Sequence, residues 1–151
     1  NHYPDDLNKN LNTYLPPGIT ILQSKMIPKK SPSLSSIVSL ASYSVTFDYQ
    51  VNWSNLQINI SDTLKSNSLK VWRIKKGKKQ CIDIRIFIDK IFIDNQTLYC
   101  DLKFISQKTA RIDEILQHLI NNYYKSKGLL MIKRTGLYIK TGTKFITPME
   151  V

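Results

Sequence analysis

Residues 73–85 read RIKKGKKQCIDIR, the densest basic segment of the chain. Apolar and polar side chains alternate over 69–76 and again over 80–88, and a basic turn containing Gly77 separates the two runs, a pattern that predicts a β-hairpin. Its register follows from asking which side chains share a face. If Trp72 and Ile74 face the core with Ile82 and Ile84, Ile74 pairs with Ile82 and Trp72 with Ile84, which requires a three-residue loop of Gly77, Lys78 and Lys79. A two-residue loop would set Trp72 opposite Asp83. In the preferred register Arg73 lies across from Asp83 on the outer face, with Lys75 and Arg85 one position along. Opposed charges so placed contribute roughly 0.2–1 kcal/mol, so the Arg73–Asp83 pair is expected to fix register more than to stabilise. Gly77 fits this loop imperfectly, because three-residue loops favour glycine at their last position and here it comes first.

Upstream of the hairpin, Tyr43, Val45, Phe47 and Tyr49 alternate with Ser44, Thr46 and Asp48, as in a half-buried strand. From Trp53 the spacing becomes helical, with Trp53, Leu56, Ile60 and Leu64 along one stripe. Downstream, 91–94 and 97–105 read as strands around an Asp94-Asn95-Gln96 turn, with Leu98, Cys100, Leu102 and Phe104 on one face. Thr109 is placed to cap a helix that has Asp113 and Glu114 in its first turn and Ile112, Ile115, Leu116, Leu119 and Tyr123 as its buried stripe. A last strand is predicted over 129–140. From Tyr43 onward the order is strand, helix, strand, strand, a short extra hairpin, helix, strand. That is the split βαβ pattern of a ferredoxin-like α+β fold, an antiparallel sheet with two helices on one face.

This domain is expected to span 33–142, opening on a short helix over 33–40. Before it, Leu7, Leu11 and Leu15 follow Pro4 at helical spacing, with Asp5 and Asp6 where they favour the helix dipole, and Pro16-Pro17-Gly18 stops the helix. A strand over 19–27 then carries Ile19, Ile21 and Ile27 on one face. Residues 1–32 thus read as the helix-strand remnant of a preceding lobe plus a connector, and 143–151 as a loosely held tail. The chain begins at Asn1 rather than methionine, from which a processed or partial chain is expected.

The 151 residues, 42% hydrophobic, suffice for one domain with a real core. Lys and Arg outnumber Asp and Glu by 22 to 11, for a net charge of +11 and a pI near 9.7. Such an excess suits a polyanion, either RNA or an acidic protein. It is concentrated: every formal charge from Lys65 to Lys79 is positive, and no acidic residue occurs between Glu114 and Glu150. A chain rich in Ile, Lys and Asn also reflects AT-rich coding, as in an organelle, so cytoplasm or organelle stroma is the expected compartment. Cys81 and Cys100 lack CxxC spacing and read as reduced core residues. No apolar run is long enough to span a bilayer, so no membrane insertion is expected.

The catalytic inventory is thin. His2 and His118 are the only side chains with ordinary pKa values near neutrality, and neither sits in a recognisable constellation. No metal-ligand cluster, phosphate loop, cofactor fingerprint or small-molecule site is evident, so a non-enzymatic role is expected. Asp83 and Arg85, two apart on a strand, could join Arg73 in holding a carboxylate or phosphate, although a cross-strand ion pair is the simpler reading. Polyanion binding has better support. Arg73, Lys75, Lys76, Lys78, Lys79 and Arg85 could engage phosphates from the hairpin, with Lys133 and Arg134 on another strand of the same predicted sheet. Tyr99 and Phe87 are candidates for stacking on bases. The alternative is a scaffold subunit whose basic face docks on an acidic protein.

The stretches LPPGI at 15–19, SPSLSS at 31–36 followed by Tyr43, KKGKKQCIDIR at 75–85, ARIDEIL at 110–116 and KRTGLYI at 133–139 occur in the order seen in the radical-SAM-linked protein family, which the chain resembles over nearly its whole length. The similarity is to the C-terminal part of that family, a domain of unknown function fused to or encoded beside B12-binding radical SAM proteins. Ile86 and Ile112 stand where family members tend to have proline. The resemblance implies a non-catalytic companion of a radical SAM protein that presents an RNA substrate, and it supplies no iron–sulfur cysteines or cofactor site.

Overall fold

The computed structural model describes residues 4–150, which divide into a small unit ending at Ser33 and a larger one beginning at Leu34. In the small unit, α1 (Pro4–Asn12) ends before the Pro16-Pro17-Gly18 turn, where Gly18 takes a φ of 89°. The strand expected over 19–27 does not form. In that stretch the Asn12 side chain donates to the Ile21 carbonyl at 3.0 Å and accepts from its N–H at 2.7 Å. Among the described residues of this unit no other strand forms, so extended backbone there has no ladder to join.

The larger unit opens on one helical turn, α2 (Leu34–Ile37), and passes directly into β1 (Val38–Phe47), which begins earlier than the alternation from Tyr43 suggested. α3 (Trp53–Lys65) follows, with the Asn52 side chain accepting from Asn55 N–H at 2.9 Å as its N-cap. Then come β2 (Lys70–Lys75), β3 (Lys78–Asp83), β4 (Ile88–Asp94) and β5 (Thr97–Lys103). The chain closes with α4 (Ile112–Leu119), α5 (Tyr123–Ser126), β6 (Leu130–Thr141) and β7 (Lys144–Ile146).

Five of these strands form one antiparallel sheet in the order β4-β5-β1-β6-β7, and β2 and β3 form a two-stranded sheet of their own. The strands read as central and as extra have therefore exchanged places. Residues 97–103 give the cleaner inside/outside alternation, burying Leu98, Cys100 and Leu102 on one face, whereas β2 and β3 contribute only half-buried Val71, Arg73, Ile82 and Asp83. A strand at the centre of a sheet needs an apolar face to bury, and the lysine-rich hairpin has too little of one.

α3 and α4 cover one face of the large sheet. Leu56 and Ile60 of α3 and Ile115, Leu116 and Leu119 of α4 pack with Val45, Ile91, Leu98 and Leu102 in a single core, which Leu69, Ile84 and Phe87 extend to the base of the hairpin. Asn59 of α3 donates to the Leu119 carbonyl at 2.8 Å, tying the end of one helix to the flank of the other. The N-cap of α4 is Arg111 rather than Thr109, and the Glu114 side chain accepts from the Arg111 N–H at 2.8 Å. Beyond Gly142, β7 pairs with β6, and the Glu150 carboxylate accepts from the Thr147 N–H and hydroxyl at 2.6 and 2.8 Å. Gly136 on β6 leaves room for the Tyr138 ring, which would have to shift if a Cβ were added there, 2.5 Å from its hydroxyl.

Candidate polyanion interface

The hairpin turns on two residues. Lys75 pairs with Lys78, Ile74 with Lys79, Arg73 with Gln80, Trp72 with Cys81, Val71 with Ile82 and Lys70 with Asp83. Lys76 and Gly77, with φ of 49° and 73°, make the turn. Two left-handed residues in succession are what a tight two-residue loop demands, and glycine is at ease in the second place. The three-residue loop of Gly77, Lys78 and Lys79 is thereby corrected, together with the inside and outside of the hairpin. Trp72 and Ile74, expected in the core, are 71% and 74% exposed, and Cys81 is exposed beside them. Cys100 is the buried thiol, its pKa pushed up to about 12 by burial and by the neighbouring Asp101.

Arg73 is turned inward, away from Asp83. Its Nε and Nη2 donate to the two Glu114 oxygens at 2.7 and 2.6 Å, and Nη2 also donates to the Thr109 carbonyl at 3.0 Å. This bidentate pair clamps the hairpin to the first turn of α4, with the two side chains only 18% and 13% exposed. Burial pushes the Glu114 carboxyl up, but hydrogen bonds from Arg73 and from the Arg111 backbone outweigh it and hold the group below its ordinary pKa. Asp83 serves the backbone instead: one carboxylate oxygen accepts from Leu69 N–H at 2.9 Å and Arg85 N–H at 3.0 Å. Those bonds, with one from the Ser68 side chain, lower its pKa. Arg85 closes the C-terminal end of α3, donating to the carbonyls of Leu64 at 2.7 Å and Ser66 at 3.1 Å, and to Ile88 at 3.4 Å. Three of the charged residues singled out by sequence thus hold the fold.

What remains outside is lysine. Lys70, Lys75, Lys76, Lys78 and Lys79 are exposed, and among the described residues none lies within 4 Å of a carboxylate. Lys133 and Arg134 are on β6, hence in the other sheet rather than beside the hairpin. Lys133 pairs with Ser44, which pairs in turn with Tyr99 on β5, and Tyr99 stacks on Phe92 with ring centroids 5.1 Å apart. Cross-strand partners share a face, so Lys133, Ser44, Tyr99 and Phe92 form a row on the face that α3 and α4 leave open. Phe87 is buried in the core and belongs to no such surface. Phe92 takes its place, and its parity against Ile91 and Ile93 was the available signal. Arg134 faces Tyr43 on the opposite parity.

His118 is exposed on α4, and His2 lies outside the described residues. Among the described residues no three of His, Cys, Asp and Glu are grouped to hold a metal ion, and no helix is long and apolar enough to cross a membrane. The family described as "Uncharacterized protein conserved in bacteria (DUF2344)" matches residues 1–123. The chain belongs to this family. The DUF2344 match takes in the basic hairpin, the Glu114 that clamps it and the Tyr99/Phe92 pair, and stops before β6. No curated protein and no solved structure matches the chain significantly.

Proposed function

We propose that this DUF2344 chain is a non-catalytic binding module that holds RNA, or a like phosphate polyanion, through the lysines of its β2–β3 hairpin. One observation carries the reading. Lys75, Lys76, Lys78 and Lys79 crowd one turn with no acidic partner among the described residues, while both arginines of the same segment are turned into the fold. Like charges held together repel, and a phosphate backbone relieves that repulsion while releasing its own counterions. Lys133 supplies a second cationic point on the open sheet face. The run β1, α3, β4, β5, α4, β6 with strand order β4-β5-β1-β6 supports a ferredoxin-like core into which the basic hairpin is inserted, with β7 added at the edge. The motifs shared with radical-SAM-linked proteins support a role as companion to such an enzyme.

The test is retention of RNA by the chain and by its Lys75→Glu/Lys76→Glu/Lys78→Glu variant. Loss of retention in the variant is expected, with binding that weakens steeply as salt rises. Equal retention would refute the reading. Co-purification of a defined protein complex free of RNA would favour the alternative, a scaffold subunit docked on an acidic protein.

A further inference from the structure

The outward face of the hairpin presents more than charge. Trp72 and Ile74 alternate along β2 and stand in solvent, with Cys81 directly across from Trp72 and Lys79 directly across from Ile74. A shallow hollow of about 470 Å³ is lined by Trp72, Ile74 and Lys79. A second, of about 400 Å³, runs between Lys70 and Trp72 on one side and Gln117, His118 and Tyr124 on the other. A tryptophan ring this exposed gains nothing for the fold. Bordered by lysines on the same strand pair, it has the two parts that unpaired nucleic acid needs, a flat apolar surface for a base and cations for its flanking phosphates. Duplex RNA keeps its bases stacked inside and can offer Trp72 none of them. Of the acidic residues at this surface, Asp83 has its carboxylate engaged by backbone N–H groups, and Glu114, which also lines the second hollow, is held by Nε and Nη2 of Arg73.

We infer that Trp72 is a stacking platform for an unpaired base of single-stranded RNA whose phosphates lie on Lys70 and Lys79. This rests on the polyanion reading above and narrows it to a substrate class. Trp53 is the other tryptophan, half-buried against Phe47, so a Trp53→Phe background isolates the emission of Trp72.

The experiment titrates the full chain with a single-stranded 12-mer, the same sequence as a duplex, and inorganic polyphosphate of equal charge. Trp72 emission and the rate of Cys81 alkylation are followed. Single-stranded RNA is expected to quench Trp72 and shield Cys81, while polyphosphate binds without quenching. Trp72→Ala is expected to weaken single-strand binding about tenfold and leave polyphosphate binding unchanged, and Trp72→Phe to stay within about threefold of the parent. Equal affinity of Trp72→Ala and parent for the single strand, or equal affinity for single strand and duplex, would overturn the inference while leaving the polyanion reading intact. Absence of binding to all three ligands would overturn both. Tryptophan-dependent binding of poly-glutamate in place of RNA would assign the face to an acidic protein and overturn the inference.

Discussion

Breaking the Arg73–Glu114 clamp measures how the hairpin is fastened to the domain. Two charge-assisted hydrogen bonds at 2.6 and 2.7 Å join side chains that are 18% and 13% exposed. Hydrogen bonds to charged groups are worth about 1.5–3 kcal/mol, and the residual exposure reduces the Coulombic part through solvent screening. Arg73→Met keeps the packing of the stem but also gives up the bond to the Thr109 carbonyl, and Glu114→Gln keeps an acceptor for the Arg111 N–H, so the pair itself is isolated by the double-mutant cycle. Each should destabilise the protein by about 2 kcal/mol, which is a fall of about 1 M in the urea midpoint for a domain of this size. The double-mutant cycle should return a coupling of about 1.5–2 kcal/mol. The same cycle between Arg73→Met and Asp83→Asn should return a coupling near zero, because Asp83 is bonded to Leu69 and Arg85 instead. Coupling of Arg73 to Asp83 comparable to that with Glu114 would refute the register. The pair also has a pH signature. Because the Glu114 pKa is lower in the folded chain than its ordinary 4.5, the contribution is complete above that value and is lost as pH falls through the folded pKa. Arg73→Met should therefore flatten the acid limb of the stability profile below about pH 4.5.

Two further perturbations read the same hairpin from its faces. Trp72→Ala and Ile74→Ala should change stability by no more than about 0.5 kcal/mol, since both side chains are solvent-exposed, whereas Ile84→Ala at a fully buried position should cost about 2–5 kcal/mol in chemical denaturation. A large loss at Trp72 would return that side chain to the core. In the native protein Cys81 should react with a thiol reagent at the rate of an exposed cysteine and Cys100 only on unfolding, and the order of labelling, read by mass spectrometry, would be reversed or merged if the hairpin faces were exchanged.

Local pattern carried much of the domain. The stripe of Leu56 and Ile60, the stripe of Ile115, Leu116 and Leu119, and the alternation through Leu98, Cys100 and Leu102 all point where the periodicity says they should. These are segments in which burial is the dominant energy and one face is plainly apolar. The hairpin escaped because its apolar residues are outside. Trp72 and Ile74 are as hydrophobic as any core pair, and alternation tells which residues share a face without telling which face is inward. The partner that draws Arg73 inward is Glu114, 41 residues away, and no local rule anticipates a contact of that span. Gly77 did hold the answer. Its poor fit to a three-residue loop is resolved once Lys76 joins it in a two-residue turn, at the cost of a lysine in left-handed geometry. Of the candidate site, Lys75, Lys76, Lys78 and Lys79 are exposed around the turn. Arg73, Asp83 and Arg85 proved architectural, because a guanidinium or carboxylate beside unsatisfied helix and strand ends is worth more to the fold there than in solvent.

Whether the hairpin lysines meet phosphate can be read from the salt dependence of RNA affinity. Four lysines at the turn, each neutralising one phosphate of a single strand, give a slope of log K against log salt of about −3. Affinity for a labelled single-stranded RNA should fall about 50-fold between 50 and 200 mM salt. With Lys75, Lys76 and Lys78 changed to Glu, the slope should shrink to less than about 1 in magnitude and binding should be nearly lost. A variant that binds with the parent's affinity and the parent's slope would show that these lysines do not meet the phosphates.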